Sequence, residues 1–418
     1  MFIEKTLSNG VRVVIEKLSE IRSVTLGIWV KAGSVCEDAS TNGISHYIEH
    51  MLFKGTEKRT YLDIASEIDN IGGQMNAFTG KEFTCYYAKV IDEKQRVATD
   101  VLTDMVCNST FLEKELDKER GVVIEEINMS NDTPDDVAHD KISEEFFSGT
   151  ELSKSILGPA DNIRRFNKED IKAYMDRFYT AERTVVVAVG NVDVDTLIED
   201  LEAQLSKLPH ETVGEICTVP AGWKPQPSFL HVEKDTEQMN ICIAMQAYSY
   251  LDPRKFTISA ISNILGGSMS SRLFQKIREE FGMAYSVFSY SSLYSGAGSL
   301  TVYSGNSPEN SECVTDAVID ILKDFRISAD ELENTITQLK GNYILAQESM
   351  SAKMNSIGKN MLLRNTYLTE TDVLTGLDSI TMPQINDAID AFFRIDSLSG
   401  VYVGPMKDES AIRQRFVK

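Results

Sequence analysis

Two stretches of this chain, 214 positions apart, lie on one another without a gap. Residues 166–190 fall on 380–404, with Asp176 on Asp390, Phe178 on Phe392, Val187 on Val401, Val189 on Val403 and Gly190 on Gly404. These identities carry weight because a helical pattern, a β-branched run and a closing glycine keep one register. A chain that repeats itself across its two halves folds as two related domains, and 418 residues exceed what one hydrophobic core usually serves. Residues 210–227, with Pro220, Gly222, Pro225 and Pro227, read as the linker, which places the domains at 1–209 and 228–418.

The order of elements within each half sets the fold class. Asn9-Gly10 marks a tight turn, and 11–15, 24–30, 74–78 and 83–90 read as strands. A helix is expected from about 61 to 71, stopping at Gly72-Gly73, and helical patterns dominate 92–147, including 113–128 and a segment from Pro134. A helix through Ile171, Tyr174 and Phe178, the β-branched run 185–190 and a last helix close the first half. After the linker the order recurs, with strands at 228–232, 239–247, 285–290, 299–303 and 398–404 and helices at 258–265 and 271–280. The expectation is an α+β fold with an internal duplication, each copy a mainly antiparallel sheet covered by helices.

Chemistry concentrates in His46-Tyr47-Ile48-Glu49-His50. Residues three and four apart share a helix face, so His46, Glu49 and His50 project toward one point while Ile44, Ile48, Met51 and Leu52 turn toward a core. Two imidazoles one turn apart grip zinc, and a glutamate between them can take a proton from the water that zinc activates. The chain has only five histidines, so an H-x-x-E-H by accident is rare. A catalytic zinc needs a third protein ligand, and spacing alone leaves that choice open among 63 acidic residues.

A net charge of −21 argues against a nucleic-acid partner, because phosphate binding needs a basic footprint. The acidic groups are either a solvated surface or the lining of a site for cationic ligands. Six cysteines, Cys36, Cys85, Cys107, Cys217, Cys242 and Cys313, show no C-x-x-C spacing and read as reduced thiols. With no signal-peptide pattern at Met1–Thr6 and no run of membrane-spanning length, a cytoplasmic protein without membrane association is expected.

The whole stretch Gly43-Ile44-Ser45-His46-Tyr47-Ile48-Glu49-His50-Met51-Leu52-Phe53-Lys54-Gly55-Thr56 resembles the zinc helix of the insulinase (pitrilysin-like) metallopeptidases. It resembles in particular that of the catalytic beta subunit of mitochondrial processing peptidase and its half-length bacterial relatives. The resemblance implies a zinc endopeptidase with one Zn²⁺ per chain, held by His46, His50 and Glu126, and with Glu49 as general base. Glu126 comes from Glu119-Arg120-Gly121-Val122-Val123-Ile124-Glu125-Glu126, in which Glu119 is implied to orient a histidine ring. In Gly72-Gly73-Gln74-Met75-Asn76-Ala77-Phe78-Thr79, Asn76, Ala77 and Phe78 are implied to take the substrate as an added strand. Arg278 and Tyr285 are implied to hold a substrate carbonyl and the developing oxyanion. Asp136 and Asp140, ten and fourteen positions after Glu126, are implied to bind an arginine near the cut. Substrates are expected to be unfolded or presequence-like peptides, and the half-length chain implies a homodimer. Read without the resemblance, Arg278 is an exposed helix charge, Gly266-Gly267 a helix stop, and the two aspartates solvated carboxylates. The competing class is a non-catalytic core or partner subunit; such chains usually lose the zinc residues or the arginine and tyrosine, and this one keeps both.

Overall fold

The computed structural model describes residues 1–210, 214, 216 and 218–417. The chain forms two compact units, one of Met1–Ile127, Lys154–Ile216 and Ile344–Leu368, the other of Asn128–Ser153, Cys217–Tyr343 and Thr369–Lys418. In the first unit, β1 (Phe2–Thr6), β2 (Arg12–Lys17), β3 (Ser23–Val30), β4 (Gln74–Thr79), β5 (Thr84–Ile91) and β6 (Thr184–Gly190) form one sheet in the order β1-β2-β6-β3-β5-β4. Asn9 and Gly10 turn β1 back on β2, as expected of that dipeptide. In the second unit, β7 (Ser228–Val232), β8 (Met239–Ala247), β9 (Ala284–Leu293), β10 (Gly298–Asn306) and β11 (Ser399–Val403) run β7-β11-β8-β10-β9.

Without β1, the two orders are the same, and so are the directions. The pairs β2–β6 and β7–β11 are parallel, and every other pair in both sheets is antiparallel. The 214-residue offset holds element by element: helix Lys168–Phe178 falls on Met382–Phe392, and the 3₁₀ turn Ala181–Arg183 falls on Ile395–Ser397. Asn167 and Thr381, also 214 apart, each start their helix with a capping box. The chain is a duplicated α+β fold, two mixed sheets covered by helices.

The compact units do not follow a cut between 209 and 228. Helix Pro134–Phe146, from the first half, lies in the second unit, where it packs on β8 and β11 and buries Val137, Ala138, Ile142 and Phe146. Helix Met350–Arg364, from the second half, lies in the first. The cause is visible in β6. Val186 and Ala188 face the core that holds Ile48 and Leu52, whereas Val185, Val187 and Val189 face the opposite side. A sheet apolar on both faces needs two covers, and Met354, Ile357, Met361 and Leu362 supply the second. The expected linker lies partly outside the described residues.

Two further boundaries differ from expectation. The helix expected over 113–128 continues to Asp132, and the chain around Gly266-Gly267 runs on from helix Lys255–Ser262 as wider π-type turns. Gly266 serves close approach there, because a Cβ would come within 2.4 Å of the Ser289 amide nitrogen. Cys36, Cys85, Cys107, Cys242 and Cys313 are free thiols, and Cys217 lies outside the described residues. Among the described residues no helix is long and apolar enough to cross a membrane.

Candidate active site

His46, Glu49 and His50 lie on helix Ile44–Leu52, and three buried contacts hold that helix in place. Its N-terminus has no cap of its own, since Gly43 sits at φ 98°, where a Cβ would strike the Leu157 carbonyl at 2.6 Å. Glu37 supplies the cap from six residues upstream, accepting the Gly43 and Ser45 amides, both at 2.9 Å, and Asn42 Nδ2 at 2.8 Å. The Ser45 hydroxyl meets the Tyr174 hydroxyl at 2.7 Å. Tyr47 donates to the Leu116 carbonyl at 2.7 Å and so ties this helix to helix Glu113–Asp132, which carries Glu119 and Glu126.

That tie brings the third acidic group to the imidazoles. His46 Nε2 lies 3.6 Å and His50 Nε2 3.3 Å from Glu126 Oε2, and the three ligand atoms fall within 4.8 Å of one another. Glu119 reaches the other side of His50, with Oε2 3.2 Å from Nδ1, while its Oε1 takes Lys54 Nζ at 2.7 Å. With Glu119 accepting from Nδ1–H, a neutral His50 ring carries its lone pair on Nε2, the nitrogen that faces Glu126, whereas a protonated ring donates from both nitrogens. His46 Nδ1 is buried without a hydrogen-bond partner among the described residues.

The electrostatics point to a cation at this spot. Burial, then the charge of His50, holds His46 down to about 4. Burial would also lower His50, but hydrogen bonds to Glu119 and Glu126 override it and raise it to about 9. The His50 bond draws the Glu126 carboxyl below the usual range; Glu119 is drawn down too, its burial outweighed by His50 and Lys54. Two carboxylates thus concentrate positive charge between two inward-facing imidazole nitrogens, and two nitrogens with one carboxylate oxygen are the donor set of a catalytic zinc with one position left open. The residues present fit the metal.

Glu49 is half-buried beside this group, with its carboxyl pushed up by burial although Thr79 and His50 pull the other way. Its Oε2 accepts from Thr79 Oγ1 at 2.5 Å. Thr79 ends β4, the edge strand that carries Asn76, Ala77 and Phe78 and, among the described residues, pairs only with β5. Asn76 is exposed, and its side chain accepts the Ala77 amide at 2.8 Å.

Arg278, Tyr285, Asp136 and Asp140 belong to the second unit. There the Arg278 guanidinium lies 4.8 Å from the Phe274 ring centre and 5.5 Å from that of Tyr285, whose side chain is 79% exposed at the start of edge strand β9. Asp136 and Asp140 are exposed one turn apart on helix Pro134–Phe146. Between them His139 Nδ1 meets the Tyr290 hydroxyl at 2.7 Å. Glu37, Lys54, Thr79 and His139 were not singled out from the sequence. Lys54 and Thr79 lay inside the stretches 43–56 and 72–79 that carry the resemblance; Glu37 and His139 act through contacts 5 and 151 positions away.

A helix presenting two histidines and a glutamate, beside a glutamate from a second helix, defines a metallopeptidase-type site on a duplicated α+β frame. Residues 12–160 match Insulinase (Peptidase family M16), and 165–339 match the Peptidase M16 inactive domain. The uncharacterized zinc protease YmxG of Bacillus subtilis is 40% identical over 399 residues, covering 94% of this chain and 95% of that one. An uncharacterized zinc protease of Rickettsia bellii is 34% identical, covering 96% of each. A solved protease from Helicobacter pylori superposes with a TM-score of 0.87 at 20% identity, over 97% of this chain and 99% of that one, and shares the fold. The chain belongs to the insulinase family of peptidases, M16. Its enzymatic class is zinc protease.

Proposed function

We propose that this protein is an endopeptidase for unfolded, extended peptides, with arginine favoured near the cleavage site. The observation that carries the reading is the convergence of His46, His50 and Glu126 beside Glu49 and an open sheet edge. His46, His50 and Glu126 would hold a zinc ion, which when bound would supply Lewis-acid polarisation of the peptide carbonyl and a more acidic attacking water. Glu49 takes the proton of that water and returns it to the leaving amine. Glu119 keeps the His50 ring oriented by accepting at Nδ1. The unpaired side of β4 takes the substrate as an added strand, and pairing through the main chain accommodates varied sequences. Arg278 and Tyr285 offer a guanidinium and a phenol to a substrate carbonyl, and Asp136 with Asp140 offers a paired carboxylate grip for a substrate guanidinium.

The test is Glu49→Gln. The variant is expected to bind one zinc per chain while hydrolysis of unstructured peptides falls at least about a hundredfold. A variant that stays active, or a zinc-loaded wild type that cuts no peptide, would overturn the reading.

A further inference from the structure

Resting on that reading, we propose that Thr79 is the positioning residue of the general base, so that the strand which receives the substrate also sets the aim of Glu49. The Thr79 hydroxyl has one proton to give. Its acceptor is Glu49 Oε2 at 2.5 Å, while the other hydroxyl nearby, that of Thr84, is 3.4 Å away and donates to the Ala32 carbonyl at 2.9 Å. Glu49 has three rotatable bonds, the last of them loosely confined, so one fixed oxygen selects the side-chain conformation and leaves Oε1 to meet the water.

The placement of that hydroxyl is a matter of strand register. Side chains alternate along β4, and Ala77 packs into the core shared with the zinc helix while Phe78 packs on the opposite face beside Trp29. Thr79 therefore faces the zinc helix, opposite the buried Thr84 of β5. A one-residue slip would turn the hydroxyl away from Glu49. A peptide added along the free edge of β4 straightens and orders the strand that ends in this hydroxyl, which links substrate docking to the orientation of the base.

The experiment compares wild type, Thr79→Val, Thr79→Ser, Glu49→Gln and the Val–Gln double variant, each with its zinc content measured. Every protein is expected to hold one zinc. Thr79→Val, which keeps the shape and loses the hydroxyl, should lower kcat about ten- to a hundredfold with KM within about twofold, the scale of a misaimed catalytic group. Thr79→Ser should recover most of that loss, and Val should change nothing further once Glu49 is Gln. Melting temperatures of the five proteins with zinc removed give a second readout, in which the Val and Gln shifts fall short of additive because Val removes the bond that Gln, with its neutral amide oxygen as acceptor, has already weakened. Wild-type kcat in Thr79→Val, an effect confined to KM, equal losses for Ser and Val, or additive melting shifts would each overturn the inference. Absence of peptidase activity in the wild type would defeat the parent reading instead, and the melting cycle would still decide whether Thr79 holds Glu49. If Thr79→Val does not fold, Thr79→Ala replaces it in every arm.

Discussion

Replacing Glu37 by alanine should loosen the zinc-binding helix without touching a metal ligand. Glu37 is 3% exposed and serves three donors, the buried Gly43 and Ser45 amides and the half-buried Asn42 side chain, and the two amides lose their acceptor once the carboxylate is gone. Each buried donor left without an acceptor costs about 1–3 kcal/mol. Against this, burial pushes the Glu37 carboxyl up despite its hydrogen bonds, so deleting the group recovers part of a desolvation cost. The balance is a net loss of about 3 kcal/mol, taking the upper value for each amide and an offset of similar size to one of them. For a unit of about 200 residues that corresponds to a fall of roughly 6–12 °C in the melting temperature. His46 follows Gly43 by three residues, so the frayed first turn should also weaken zinc about tenfold, the lower end for a residue that supports a ligand. Differential scanning calorimetry and a competitive chelator titration read the two effects. A melting shift under about 2 °C together with unchanged zinc affinity would show that the cap does not hold the helix.

Glu126→Gln should weaken zinc by more than about a hundredfold along with activity, and full retention of the metal would place the third ligand elsewhere. Asp104 is buried among Thr56, Arg59 and Asn108, whose hydrogen bonds outweigh its burial and hold its carboxyl below the usual range. A carboxyl whose folded pKa is depressed contributes stability above its unfolded value of about 4 and loses it as pH falls through the folded value. Wild type should therefore outmelt Asp104→Asn at pH 7 by a margin that shrinks below about pH 4, and a margin independent of pH would refute the assignment. Peptide-library cleavage should show an arginine preference near the scissile bond that drops roughly tenfold in the Asp136→Asn, Asp140→Asn variant, and an unchanged profile would remove those residues from recognition.

Local periodicity carried the zinc helix, the strand β4 and the repeat at 214 residues, because each depends on neighbours three, four or two positions apart or on a fixed offset. Glu126 was beyond such reasoning. Its distance from His50 depends on how two helices pack, through contacts such as that of Tyr47 with the Leu116 carbonyl, and only the resemblance singled it out among 63 acids. Thr79 lay one residue past the strand read at 74–78, and its role follows from which face of β4 meets Glu49, a face set by the core on either side. The exchange of helices between the units was hidden for the same reason. Val185, Val187 and Val189 show that a second cover is needed, but nothing in β6 says that it arrives with residue 350.

That late cover constrains how the protein is made. When β6 is complete at Gly190, its outer valines and Trp29 have no partner until helix Met350–Arg364 has been synthesised, 174 residues later. At about 5–20 residues per second, the growing chain carries a bare apolar face for roughly 10–35 s. The metal-binding unit is finished only once helix Met350–Arg364 is in place, so a nascent or truncated product ending near residue 209 is a client for chaperones and a seed for aggregation. Zinc acquired by such a fragment would sit on an unfinished support, and the protease is thereby kept from maturing until helix Met350–Arg364 has been made.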